Sequence, residues 1–357
     1  MKTIKLFFVL ILFFMISCGD KKGPKKNVME QQMEAQKVSS ELEAQIGERA
    51  RSTFQALAMK AENPKNPMTD AKVKLGKILY FDTRLSKDGT QSCNTCHDLN
   101  TFGVDNKPTS PGDNGGLGDR NSPTVLNAAL HTSQFWDGRA KDVEEQAGMP
   151  ITNPVEMAIP SEQFLVDRLS KVELYQGLFK EAFPDESKPL TYLNIQNAIA
   201  AFERTLLTPS KFDEYLKGNA NALSVDEKKG LKTFMEVGCT TCHMGSLLGG
   251  NILQKFGIYS NYWELTGSDP IDEGRFAETG NEAEKYMFKA PSLRNISKTH
   301  PYFHDGSVES LEEAIKIIAK VNLNIDLNEE QVKDLVVFMD ALTSDLPDDV
   351  KQMPAEL

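Results

Sequence analysis

Two short segments hold the residues best suited to chemistry: Cys93-Asn94-Thr95-Cys96-His97 and Cys239-Thr240-Thr241-Cys242-His243. In each, two thiols three positions apart reach the two vinyl groups of a haem, and the adjacent imidazole offers an axial nitrogen to iron. A redox-active dithiol and a zinc site are the rival readings. Zinc would draw four ligands from two knuckles, usually much closer together, and neither rival explains a His in the same place twice. The fifth cysteine, Cys18, stands apart, so no thiol remains for a structural disulfide. Two covalently attached c-type haems, one in each half of the chain, are expected.

The sequence downstream of each segment also repeats. Pro123-Thr124-Val125-Leu126-Asn127 leads to Phe135-Trp136-Asp137-Gly138, and Pro291-Ser292-Leu293-Arg294-Asn295 leads to Phe303-His304-Asp305-Gly306. Pro to Gly is 15 positions in both, and Val143-Glu144-Glu145 stays in register with Leu311-Glu312-Glu313. Only the stretch between His and Pro differs, by 22 residues. An internal repeat of this kind predicts two haem domains of common design.

The elements that must position these residues read as helices. Ile195, Ile199, Phe202 and Leu206 form one apolar stripe; Val332, Leu335, Val336, Met339 and Leu342 form another. Asn328 with Gln331, and Ser224 with Glu227, are capping boxes, the second opening a helix that runs into Cys239. Asp105 to Asp119 and Ile252 to Glu284 are rich in Gly, Pro and polar residues and predict long loops that shape a distal side. Strand signals are sparse. The fold expected is mainly α, in two haem domains spanning 46–205 and 206–347.

The first residues are of another kind. Lys2 and Lys5 precede an apolar run, Leu6 to Ile16, too short for a permanent membrane span. It ends in Ile16-Ser17-Cys18, which resembles a lipoprotein signal over 1–17 with Cys18 as the lipidated residue; an ordinary signal peptide is the alternative. Residues 18–45 begin rich in Lys, Gln and Glu and predict a solvated tether. The expected location is the periplasmic side, anchored to a membrane by lipid. Losing Lys2 and Lys5 takes the net charge of the 357-residue chain from −11 to −13. That balance argues against a nucleic-acid partner and suits a basic redox protein.

Beyond the haem segments, the sequence resembles bacterial di-haem cytochrome c peroxidases, a family that also holds the enzyme maturing a tryptophan-derived quinone cofactor. The resemblance runs from about Met68 to Thr343 through Gly103-Val104-Asp105, Arg120-Asn121-Ser122-Pro123-Thr124, Phe135-Trp136-Asp137-Gly138-Arg139-Ala140, Asn153-Pro154-Val155-Glu156-Met157 and the two Pro-to-Gly segments. It implies two cytochrome-c-like domains, a peroxidatic one over 46–205 with hydrogen peroxide as substrate at the first haem and an electron-transfer one over 206–347 with a small cytochrome c or cupredoxin as donor at the second. His97 and His243 become proximal iron ligands, and Glu156 the acid–base residue with Gln146 beside it. Trp136 then lies between the haems. Asn121 and the carbonyls of Thr299 and Pro301 would hold a calcium ion, and a homodimer is compatible with the resemblance. The chemistry supports Glu156 separately: cleaving an O–O bond needs one group that takes a proton from the inner oxygen and returns one to the outer. His131 and His300 read as surface or loop residues, and His304 as a ligand, a propionate partner or structural.

Two positions depart from the family pattern. In the loop Thr109 to Gly116, Asp113 stands where a blocking His is expected, which predicts a first haem open without reductive activation. In the helix after Phe303-His304-Asp305-Gly306, Ile318 replaces the expected Met ligand, leaving His300 and Met287 as the nearest substitutes. Oxidation of a protein or organic substrate, or simple electron carriage, are the alternative functions.

Overall fold

The computed structural model describes residues 28–357; the signal segment, Cys18 and the start of the tether lie outside the described residues. The chain is mainly helical. Helices α1 (Val28–Thr53), α2 (Asp70–Phe81), α3 (Cys93–Cys96), α4 (Val143–Gln146), α5 (Met149–Thr152), α6 (Glu162–Ser170), α7 (Glu173–Ala182) and α8 (Tyr192–Glu203) precede the midpoint. After it come α9 (Lys211–Leu216), α10 (Val225–Glu236), α11 (Trp263–Thr266), α12 (Phe276–Thr279), α13 (Leu311–Leu323) and α14 (Glu329–Asp340). The predicted stripe of Ile195, Ile199 and Phe202 is the buried face of α8, and both capping boxes form, at Ser224 for α10 and Asn328 for α14. The long loop after Ile252 also contains what composition did not announce: β1 (Leu253–Lys255) pairs antiparallel with β2 (Met287–Lys289), Gln254 opposite Phe288.

Each half is organised on one close helix pair. In the first, α2 lies on α8, and a Cβ at Gly76 would come within 1.9 Å of the Ala198 carbonyl. In the second, α10 lies on α14, and a Cβ at Gly230 would come within 2.1 Å of the Asp334 carbonyl. Only a residue without a side chain permits either approach. Around these pairs sit two apolar cores, one built on Leu75, Leu79, Tyr175, Phe179 and Ile195, the other on Phe212, Phe234, Leu335 and Phe338.

Helix α1 and the segment after α14 cross between the halves. The second half of the predicted tether is helical, because Leu42, Ile46 and Ala50 recur every four residues and form a buried stripe on α1 that composition alone conceals. Ile46, Ala50 and Phe54 join the core of the C-terminal half, where Arg49 Nη2 donates to the Met235 carbonyl at 2.9 Å. In the other direction Leu346 is buried among Tyr80, Phe81, Leu126 and Phe202 of the N-terminal half.

The two Pro-to-Gly segments share a backbone. Asn127 and Asn295 both have φ of 62°, Phe135 and Phe303 lie at 65° and 71°, and short bridges Gln134–Ala140 and Tyr302–Val308 close the two turns. Asn127 and Asn295 meet on Thr208, which is fully buried: its hydroxyl accepts from Asn127 Nδ2 at 2.8 Å and from Asn295 Nδ2 at 3.0 Å. Thr208→Val removes the one acceptor both amides use. Each buried donor left unsatisfied costs roughly 1–3 kcal/mol, so thermal unfolding of the variant should begin several degrees lower, whereas Thr208→Ser should hold near the parent value.

Candidate haem sites

The first Cys-x-x-Cys is the single turn α3, opened by a capping box between Ser92 and Thr95. A turn of this length sets Cys93 and Cys96 on one face, and His97 follows with its N–H bonded to the Cys93 carbonyl at 2.9 Å. Burial lowers the His97 pKa, opposed by the backbone at Gly103, the charge of Asp105 and the backbone at Pro123. A neutral imidazole is what a metal requires. Its Nδ1 is buried without a hydrogen-bond partner in good geometry, although the backbone at Gly103 and Pro123 lies beside it. The second Cys-x-x-Cys is a 3₁₀ turn over Cys239–Thr241. There His243 Nδ1 donates to the Leu248 carbonyl at 2.8 Å, which leaves the Nε2 lone pair free for iron.

None of the four thiols is in a disulfide. Burial pushes the Cys93 thiol far above its ordinary value and the Cys239 thiol up to about 12, the opposite of what a redox-active dithiol needs. Among the described residues, no group of three or more His, Cys, Asp or Glu side chains is placed to hold a metal ion. Paired thiols with a neutral His beside them fit a covalently bound haem, and they fit neither rival.

Glu156 sits on the turn after α5. Asn153 Nδ2 donates to its Oε1 at 3.1 Å, and the Glu156 carbonyl accepts from Asp113 N at 2.7 Å. Burial raises its pKa, while the Arg139 charge and the Asn153 hydrogen bond pull it back. The Glu156 charge is in turn felt by the Cys96 thiol, so the carboxylate lies in the neighbourhood of the first segment. Gln146 is half-buried at the end of α4, and no hydrogen bond among the described residues joins it to Glu156. Sequence reading passed over Arg139, the cation whose charge acts on Glu156. Its Nη1 donates to Asp137 Oδ2 at 2.8 Å and its guanidinium lies 3.5 Å from the centre of the Phe135 ring. Its place in the Asp-Gly-Arg segment was the available signal.

Asp113 is buried and saturated. Its carboxylate accepts from Ser86 Oγ at 2.7 Å, Asp88 N at 2.5 Å, Thr90 Oγ1 at 2.6 Å and Thr90 N at 3.1 Å. Those donors outweigh burial and hold its pKa below the usual value.

Trp136 lies where the halves meet. Its Nε1 donates to the Asn121 carbonyl at 2.9 Å and its ring stands 6.5 Å from that of His304 at 74°. Asn121 N donates to the His304 carbonyl at 2.7 Å, and Asn106 Nδ2 to the His300 carbonyl at 2.8 Å, so Asn121 adjoins the loop that carries Thr299 and Pro301. An amide and two backbone carbonyls are hard oxygen donors of the type calcium takes. Arg120 ties the same junction, with Nε and Nη2 on the two oxygens of Asp272 at 2.6 and 3.0 Å and Nη1 on Asp137. His304 is buried against Phe288, ring centres 4.3 Å apart, with Nε2 3.9 Å from Asp272 Oδ2.

Around the second site, Ile318 is half-buried on α13 and packs on the C-terminal core. The His300 side chain is 44% exposed and lies against Glu309 and Asn106. Met287 lies half-buried in β2. His131 lies in a loop, as expected, but its ring turns inward: both ring nitrogens are buried and unpartnered, and burial and Lys289 drive its pKa well down.

Comparison with known proteins settles the kinship. Residues 70–221 match the profile of the di-haem cytochrome c peroxidases. A cytochrome c551 peroxidase from Nitrosomonas europaea is 44% identical over 291 residues, covering 81% of this chain and 84% of the relative. The chain belongs to the di-haem cytochrome c peroxidase family. Another member, the methylamine utilization protein MauG of Methylorubrum extorquens, is 36% identical over 292 residues, 78% of this chain and 80% of that one. Among solved structures, a MauG-like protein associated with microbial copper homeostasis aligns with a TM-score of 0.72 at 29% identity, over 84% of this chain and 95% of its own. The diheme peroxidase BthA of Burkholderia thailandensis shares the fold at a TM-score of 0.66 and 20% identity, over 82% of this chain and 90% of its own. Membership of a di-haem family makes haem c the group held by the two Cys-x-x-Cys-His segments.

Proposed function

We propose that this chain is an exported, lipid-anchored peroxidase that reduces hydrogen peroxide to two waters, taking two protons and two electrons, the latter from a small cytochrome c or cupredoxin. The observation that carries the reading is Glu156, a half-buried carboxyl of raised pKa whose charge reaches Cys96 of the first Cys-x-x-Cys. Iron, when bound through His97, supplies the electrophile that polarises the peroxide. The chain's own part is to orient the substrate and move protons. Ionised Glu156 accepts the proton of the inner oxygen and returns it to the departing outer one. Asn153 fixes the carboxyl, and Arg139 keeps enough of it ionised to act as a base. Trp136, at the junction, lies on the path between the two haems, and Asn121 with the Thr299 and Pro301 carbonyls holds calcium there. Two haem domains of common design are supported by the matched turns at Phe135 and Phe303 and by the shared Thr208. The test of the whole reading is steady-state peroxide consumption with a reduced small cytochrome as donor.

Ile318 favours a second reading, oxidation of a protein or organic substrate, because a haem without a Met ligand lacks the usual means of holding a high potential. Peroxide consumption that needs no cytochrome but depends on such a substrate would select it.

The saturated Asp113 yields a further expectation. Its carboxylate fastens the 109–116 loop to Ser86, Asp88 and Thr90, with both oxygens already engaged away from iron. The fully oxidised protein should react with peroxide without prior reduction. A ferric EPR spectrum with low-spin iron alone would sink this.

A further inference from the structure

Between the halves lies a cavity of about 40 Å³, walled by Pro123, His131, Gln134 and Trp136 on one side and by Lys289 and Pro291 on the other. Most of its polar groups are committed to backbone. Gln134 Nε2 donates to the Ala128 carbonyl at 2.9 Å, Thr124 Oγ1 to the Phe102 carbonyl at 2.6 Å and Trp136 Nε1 to Asn121. Two groups are not. His131 has both nitrogens buried without a partner, and Lys289, 7% exposed, spends one of its three N–H donors on the Ser133 carbonyl at 2.7 Å. The carboxylate that acts on Lys289, Asp137, is already shared by Arg120 and Arg139.

A buried ammonium needs an anion, and a buried imidazole N–H needs an acceptor. One carboxylate entering the cavity would satisfy both, yet none of the lining residues is acidic. Each haem carries two carboxylates, and the cavity is bounded by Pro123 and Pro291, which come next after the two attachment segments in the repeat. We propose that this cavity seats a haem propionate, with the Lys289 ammonium and the His131 N–H as its donors. The space admits a carboxylate or a water or two and no ring, so the group reaches in from its edge. The inference rests on covalent haem at the two Cys-x-x-Cys-His segments, and is independent of which substrate the enzyme oxidises or reduces.

Pairing a propionate with a cation withdraws negative charge from the haem and raises its reduction potential; hydrogen bonding at this distance is one of the protein's controls on that quantity. Lys289→Met, Lys289→Arg and His131→Leu, as holoproteins, are titrated reductively, and each haem is followed separately by optical and EPR spectra. Lys289→Met should lower the potential of one haem by about 59 mV, a tenfold fall in its one-electron equilibrium constant, and leave the other nearly unmoved. The haem that responds is the source of the propionate. His131→Leu, which removes a neutral donor and no charge, should move the same haem in the same direction by less, and Lys289→Arg should stay near the parent. Unchanged potentials throughout would mean water alone fills the cavity and would overturn the proposal. So would equal shifts of both haems in Lys289→Met with none in His131→Leu, the pattern of a distant charge. A pyridine haemochrome count of two haems per chain in every protein compared keeps failure of attachment distinct from failure of the seat. Should Lys289→Met not mature, the histidine variant and the arginine variant decide the matter.

Discussion

Glu156→Gln is expected to lower peroxide turnover by about 10²- to 10⁴-fold, the usual contribution of a positioned acid–base group. Gln preserves the shape and the Asn153 contact through its carbonyl, so both haems should stay attached and thermal stability should change little. The loss should fall on kcat and kcat/KM together, because the proton is moved in the transition state. Turnover that survives the substitution would refute the assigned role. The pH profile supplies a second reading of the same group. Burial raises the Glu156 pKa, so the acid limb of kcat/KM should lie above the ordinary glutamate value, about 4.3, as the base form is lost on the way down. Removing the opposing charge with Arg139→Gln should carry that limb to still higher pH.

The largest effect on stability belongs to a pair far from any peroxide. Arg294 and Asp213 are both fully buried, with Nη1 and Nη2 on the two carboxylate oxygens at 2.8 and 2.7 Å. Asp213 also accepts from Leu57 N and Ser210 N, each at 2.6 Å, so it gathers the segment after α1, the start of α9 and the second Pro-to-Gly segment. Asp213→Asn leaves a guanidinium buried without its counter-charge, at a cost of about 3–5 kcal/mol. The unfolding midpoint should fall by on the order of 10 °C. The pH dependence has a definite sign. The Arg294 hydrogen bond and charge, with the two backbone donors, outweigh burial and hold the folded Asp213 pKa below its unfolded value. Its contribution is therefore complete above the unfolded value, about 3.9, and disappears as pH falls through the folded one. Acid sensitivity in that window should be weaker in Asp213→Asn than in the parent. A variant as stable as the parent at neutral pH would show the pair to be energetically idle.

Much of this was legible in the residues. The Cys-x-x-Cys-His spacing is a local geometric requirement, and the capping boxes at Ser224 and Asn328 involve positions three apart, so both survive folding unchanged. What escaped depends on residues remote in sequence. The pairing of β1 with β2 joins two three-residue strands 31 residues apart, too short for any periodic signal. The burial of His131 depends on Gly250 and Lys289 from the other half of the chain. The α1 stripe was present as Leu42, Ile46 and Ala50, but three apolar residues among many charged ones carry little weight until a partner surface exists. Asp113 could be recognised as a poor iron ligand from its type; that four donors hold it elsewhere needed the loop in place.

The crossing segments carry one more consequence, for electron flow. To swing one half against the other, the chain would have to withdraw Ile46, Ala50 and Phe54 from one apolar core, Leu346 from another, or both. Interfaces between domains are commonly loose enough to slide; this one is pinned by α1 and by Leu346 as well as at Thr208. On the proposed reading, the gap an electron crosses between the haems is then set by these contacts instead of being remade at each turnover. Differences in potential and the arrival of the donor are then left to set the pace, and a sequence change far out on α1 or at Leu346 could slow the passage without touching either haem.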